Sequence, residues 1–228
     1  MSSYLMYGAH ACLAALANPI RKLGRIYISQ NYARQYNIAQ PHTLLPHKQF
    51  MQLSPSDCVC QGIMMEVDRL PIHGLHTLNA RKAVILDQIT DPHNVGAIIR
   101  SAVAFGFCDL ITTYDNTFEE GATLAKSASG ALEQVRIYRV TNLASAMAEL
   151  KTMGFWIAGL ALDTSCVLDS YKPADKVVIA LGSEGRGLRR LTAKNCDDLL
   201  RIPMNNIQSL NVSNAAAIAF YEVSKKLC

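Results

Sequence analysis

No stretch of this sequence stays apolar for the roughly 18–20 residues that a membrane-crossing helix requires. The first residues, Met1-Ser2-Ser3-Tyr4, lack the basic start and apolar run of a secretory signal. These two absences make the cytoplasm the expected location, with no membrane partner. Seven cysteines are present, an odd number, and no C-x-x-C pair occurs among them. Cys58-Val59-Cys60, if extended, would point its two thiols to opposite faces. Neither a zinc site nor a disulfide framework is expected; buried, reduced thiols are. The sequence also lacks G-x-G-x-x-G and the Lys-Ser/Thr of a P-loop, since its one glycine-rich loop runs Gly182, Gly185, Gly187. That counts against a dinucleotide or nucleotide triphosphate site. There is no internal repeat and no low-complexity segment.

What is present is a chain of 228 residues, 50% of them apolar, enough for one large domain or two small ones. The net charge is only +4, but +3 of it falls in residues 1–80, along with five of the six histidines. A basic front segment suits RNA, because phosphate contacts dominate such affinity, although an ordinary solvated surface would look the same. Residues 5–17 read as a helix stopped at Asn18-Pro19, 25–29 as a strand, 30–37 as helical, 48–53 as a short helix and 58–67 as a strand. Residues 69–81 show no periodicity and contain Pro71 and Gly74, so the organisation expected is a first domain at 1–68, a linker at 69–81 and a second domain at 82–228. In the second domain, apolar runs at 83–87, 108–113, 135–140, 155–160 and 177–181 alternate with helical stretches at 97–105, 118–130, 142–153 and 211–226. That alternation predicts an α/β fold with an open, mostly parallel sheet, whose ligands bind beyond the C-terminal strand ends.

Three loops follow predicted strands. The first, Asp91-Pro92-His93-Asn94-Val95-Gly96, leads into a segment carrying Arg100. Asn94 could cap that helix or bind substrate, and an arginine among Val, Ala and Ile needs an anionic partner, for which Glu184 is the internal candidate. The second, Gly182-Ser183-Glu184-Gly185-Arg186-Gly187, sets a carboxylate in a tight turn at a strand end, a place where site residues and plain turns are about equally expected. The third, ending Ser209-Leu210-Asn211-Val212-Ser213, precedes a good helix. Asn211 or Ser213 could be its N-cap, but a cap accounts for only one of these polar residues.

In these three loops the sequence resembles the SpoU (TrmH-like) class of SPOUT RNA methyltransferases, over nearly its full length. Within that class it is most similar to the bacterial 23S rRNA guanosine-2′-O-methyltransferases. Asp91-Pro-His-Asn-x-Gly-x-x-x-Arg100, Gly182-Ser-Glu-Gly-x-Gly187, and Ile202-Pro-Met with Ser209-Leu-Asn-Val-Ser213 match the family's three motifs in order. Tyr7-Gly8-x-His10 and Gln61-Gly62-Ile63 resemble its small N-terminal L30-like domain. The resemblance implies a C-terminal trefoil-knotted α/β domain, a homodimer, and S-adenosylmethionine bound in the knot with no metal. It assigns Leu160, Gly182, Ile202 and Leu210 to the cofactor, and Asn94, Arg100, Glu184, Ser209 and Asn211 to catalysis. The implied reaction is methylation of a ribose 2′-oxygen in RNA, a guanosine of 23S rRNA. Transfer to tRNA, or a catalytically silent RNA-binding assembly role, are the alternatives. Arg100 would bind phosphate and stabilise alkoxide charge while Glu184 or water takes the proton, because guanidinium resists deprotonation. Asn205-Asn-Ile-Gln208 stands where relatives carry a longer stretch.

Overall fold

Leu5, Met6 and Tyr7 pair with Glu66, Met65 and Met64 in an antiparallel ladder, so the chain's first element is a strand and not the start of a helix. In the computed structural model, which describes residues 3–55 and 58–227, β1 spans Ser3–Tyr7 and α1 spans Ala9–Ala17. The helix expected from residue 5 is broken at Gly8, whose φ of 97° no helix interior adopts. The side chain of Gln61 accepts the Ala9 N–H at 3.0 Å and stands in for the missing cap.

Two units emerge, residues 1–70 with 120–134, and 71–119 with 135–228. The first holds a four-stranded sheet in the order β1-β4-β2-β3, with β2 at Leu23–Ser29, β3 at Thr43–Leu45 and β4 at Ile63–Asp68. Residues 30–37 make only one 3-10 turn, at Gln30–Tyr32; α2 spans His47–Leu53. The strand expected over 58–67 begins only at Ile63, because Gln61 and Gly62 take positive φ values of 54° and 75° and turn the chain. Cys58 and Cys60 therefore lie in irregular chain where strand alternation does not apply, and they are joined as a disulfide with Cα atoms 5.8 Å apart. This corrects the expectation of opposed, reduced thiols. Of the others, Cys12 is buried and Cys108, Cys166 and Cys196 are half-buried, while Cys228 lies outside the described residues.

Residues 120–134, with α4 at Ala122–Ala128, group with the first unit although they fall between two strands of the second. Buried charge anchors them there. The Arg21 guanidinium lies between Glu120 (2.6 Å) and Glu133 (2.5 Å), and Tyr4 donates to Glu120 at 2.9 Å.

The second unit is a seven-stranded sheet in which every pairing is parallel, in the order β11-β9-β10-β6-β7-β8-β5. Its strands are β5 (Ile72–His73), β6 (Lys82–Asp87), β7 (Asp109–Thr113), β8 (Arg136–Val140), β9 (Trp156–Leu160), β10 (Val177–Gly182) and β11 (Asp198–Leu200). Its helices are α3 (Pro92–Ala104), α5 (Leu143–Thr152), α6 (Arg190–Asn195) and α7 (Val212–Lys226). Ile85, Ile111, Val178 and Ala180 join Leu143, Met147 and Leu150 of α5 in one buried cluster. On the other face α7 packs against α3 and β10, with the Phe107 and Phe220 rings 4.8 Å apart. Among the described residues, no helix is long and apolar enough to cross a membrane.

Parallel register decides what meets at the sheet's C-terminal edge. Gly182 pairs with Asp87, and Leu200 with Leu160. The loops after β6, β9, β10 and β11 therefore leave the sheet side by side, at the point where the chain has run outward through β7 and β8 and returned on the far side of β10.

Candidate active site

Four strand ends supply the site. After β6, Asp91 caps α3 by accepting the His93 N–H at 3.0 Å, with Pro92 in the first turn. Asp91, not Asn94, is thus the cap, and the Asn94 side chain is left for other contacts. After β10, the chain folds back so that Gly187 N–H reaches the Ser183 carbonyl at 2.8 Å. Gly182 is required for that turn, since a Cβ there would collide with the backbone of Gly187 and Leu188. Gly185 and Gly187 hold φ values of 79° and 65°. A second support is ionic: Arg189 gives its backbone N–H and its Nε to the two oxygens of buried Asp87, at 3.0 and 2.6 Å. Glu184 stands exposed in the turn so fixed.

After β11 the chain reaches Asn211, the N-cap of α7. Its Oδ1 accepts from Ser213 N–H at 2.9 Å and from Ser213 Oγ at 2.6 Å. Its Nδ2 donates to Asn94 Oδ1 at 2.9 Å and to the Glu184 carboxylate. The cap and the site are therefore one side chain used at both ends.

This cluster stands at the lip of a cavity of about 570 Å³, within the roughly 300–1,000 Å³ usual for small-molecule sites. Leu160, Gly182, Ile202, Ser209 and Leu210 all line it, as do Glu184 and Asn211. Leu162 lines it as well, and sequence reasoning missed it because an apolar loop residue carries no motif; Met204 of the third motif and Gln208 of the 205–208 stretch also line it. Sequence reasoning also missed Asp87, whose only signal was a carboxylate ending an apolar run. Arg100 is the predicted residue that stays apart. It is exposed on α3, where a six-residue offset turns it about a third of the way round from Asn94. The expected Arg100–Glu184 pair does not form, and Asn211 is the partner of Glu184 instead. Among the described residues, no group of three or more His, Cys, Asp or Glu is placed to hold a metal ion.

The model of the SpoU rRNA Methylase family matches residues 81–221, well over half of the chain. The chain belongs to the SpoU rRNA methylase family. This SpoU chain is 34% identical over 241 residues to the 23S rRNA (guanosine-2'-O-)-methyltransferase RlmB of Escherichia coli K12, covering 98% of this chain and 99% of that one. It is 40% identical over 174 residues to RlmB of Shewanella oneidensis, covering 73% and 71%. Its fold matches the SpoU methyltransferase AviRb of Streptomyces viridochromogenes, solved in complex with AdoMet, with a TM-score of 0.81 at 21% identity over 98% of this chain and 90% of that one.

Proposed function

We propose that this SpoU-family chain transfers a methyl group from S-adenosylmethionine to the ribose 2′-hydroxyl of a guanosine in 23S rRNA. The observation that carries the reading is the joining of Asn94, Glu184 and Asn211 at the lip of the cavity, from three loops that the parallel register brings together. The full-length similarity to the RlmB enzymes supports the rRNA guanosine as target.

The residues present fit the cofactor. Leu160, Ile202 and Leu210 offer apolar walls for an adenine ring, Gly182 leaves backbone close at hand, and Ser209 and Glu184 form a polar rim suited to a cationic end. When bound, S-adenosylmethionine supplies a methyl group on a sulfonium leaving group. The chain's own tasks are then to orient the ribose and to accept the hydroxyl proton. Glu184 is the acceptor in this reading, with Asn211 and Asn94 holding its carboxylate at a set angle. Ser209 serves the methionine end, and Arg100, exposed on α3, is free to meet RNA phosphate or the site of a second subunit.

The same reading makes the chain a cytoplasmic homodimer with an L30-like RNA-recognition domain in its first 68 residues, and places a trefoil knot in the methyltransferase domain that follows; the expected linker at 69–81 instead gives β5 to the second sheet and Leu75 and Leu78 to its core. A close association of the loop after β9 with the C-terminal chain supports the knot. Arg201 bonds to Cys166 and Leu168 through backbone groups, and Lys226 of α7 bonds back to the Leu168 carbonyl at 3.1 Å.

Ribose-methylation mapping in cells lacking this protein tests the proposal. The expected result is loss of one 2′-O-methylguanosine from 23S rRNA and none from tRNA. Intact 23S methylation would sink it.

A further inference from the structure

Ser183 and Glu184 line two hollows, not one. The second, of about 350 Å³, has Gln88, Thr90, Asn116 and Arg186 as its other walls. We infer that this second hollow seats the target guanine, with the amides of Gln88 and Asn116 reading its Watson–Crick edge. The inference rests on the methyl-transfer reading above, because a base next to Glu184 would carry its ribose to the lip of the cofactor cavity.

Backbone geometry marks both amides, as it also marks Gln61, Ser129 and Asn206 elsewhere in the chain. Gln88 and Asn116 hold φ values of 60° and 51°, in the left-handed region that L side chains with a Cβ avoid. Asparagine enters that region more readily than most residues, whereas glutamine has no such ease. Glycine would take either position without strain, yet both keep a carboxamide. Strain of this kind gathers where a side chain must be presented to a ligand.

The walls are also held in place. Asp87, the residue before Gln88, is clamped by Arg189. Across the hollow, Thr112 Oγ1 donates to the Leu86 carbonyl at 3.1 Å and accepts from Thr117 Oγ1 at 2.7 Å. Thr113 Oγ1 donates to the Asp115 carbonyl at 2.7 Å. These bonds tie the loop after β7 to the end of β6. Neither amide has a side-chain partner among the described residues, so both are available to a ligand.

The chemistry suits guanine. Its N1–H and exocyclic amine need acceptors and its O6 needs a donor, and a carboxamide offers both kinds of group. Single-stranded RNA presents this edge once the base is splayed out. Arg186 brings the positive charge that an adjoining phosphate would meet.

Gln88→Gly and Asn116→Gly remove the amides while suiting the backbone. Each variant is assayed for methyl transfer to a 23S rRNA fragment carrying the mapped guanosine, and to the same fragment with inosine there, which lacks the exocyclic amine. S-adenosylmethionine affinity is measured alongside by calorimetry. The expected result is unchanged cofactor affinity and a guanosine-over-inosine preference in kcat/KM that falls about tenfold. An unchanged preference in both variants overturns the base seat and leaves the methyltransferase reading standing. Lost cofactor affinity in both would move these residues to the first cavity and overturn it as well. Failure of the unaltered protein to methylate the guanosine fragment would instead refute the reading beneath, and the inference with it.

Discussion

The side-chain nitrogen of Asn211 donates to Asn94 at 2.9 Å, joining the start of α7 to the start of α3 across 117 residues of sequence. The same nitrogen reaches Glu184, while the oxygen of the same amide caps α7. Asn211→Asp keeps the capping oxygen, removes the donor and sets a second carboxylate against Glu184. The expected outcome is a nearly unchanged melting temperature with kcat lowered about 100-fold or more. Full activity in this variant would reduce Asn211 to a helix cap.

Glu184 and Arg100 can be separated by their pH profiles. Glu184→Gln is expected to lower kcat by about 10²–10⁴-fold, as loss of a general base does, with cofactor affinity changed far less. If Arg100→Lys instead restores most of the rate lost in Arg100→Ala, with a shifted alkaline limb, the arginine is the base. Mixing inactive Arg100→Ala and Glu184→Gln proteins checks the dimer: activity returns if one subunit's arginine completes the other's site.

Asp87 does not itself line the cavity, yet it holds the glycine loop through two bonds to Arg189. Asp87→Ala should weaken S-adenosylmethionine binding about tenfold or more, since charge-assisted bonds are each worth roughly 1.5–3 kcal/mol. A calorimetric Kd equal to that of the unaltered protein would show that the turn stands on its glycines alone.

Arg21 is fully buried between Glu120 and Glu133. Burial alone would lower its pKa, but its bonds to Glu133 and Glu120 outweigh that and raise it further. Removing it leaves two buried carboxylates facing each other. Arg21→Met is expected to cost about 3–5 kcal/mol in urea unfolding. A loss under about 1 kcal/mol would mean that the carboxylates neutralise or hydrate easily.

Burial pushes the thiols of Cys12 and Cys196 up to about 12. An unfolded cysteine titrates near 8.5, so the folded protein resists forming these thiolates. Their contribution to stability is therefore intact below about pH 8.5 and is lost as the pH climbs towards 12. Iodoacetamide at about pH 8 should leave both unlabelled until denaturant is added, as mass spectrometry would show.

Strands β6 and β10 can be read from the residues because buried parallel strands are continuous apolar runs, such as Ala83-Val84-Ile85-Leu86. Strand β1 cannot, because Leu5-Met6-Tyr7 runs into an alanine-rich helix with only Gly8 between. Strand β11 is three residues long and begins with Asp198, too short for any period to show. The placement of residues 120–134 with the first unit is equally hidden, since it depends on Arg21, about a hundred positions away, finding two carboxylates. At the site, Asn94, Glu184, Ser209 and Asn211 each stand out as polar residues in the segments that follow strands. Gln88 and Asn116 do not, because a left-handed backbone leaves no mark on composition.

Period, turn chemistry and capping act over a few residues. They determined the α/β class, the three loops and the motifs that place this chain in its family. Which loops meet was decided by hydrogen-bond pairing between strands far apart in sequence: Asp87 with Gly182, and Leu160 with Leu200. That register put one amide of Asn211 within reach of both Asn94 and Glu184. The six-residue offset already set Arg100 on another side of α3 than Asn94, but which side faces the cavity depends on where the helix axis lies, and only packing fixes that.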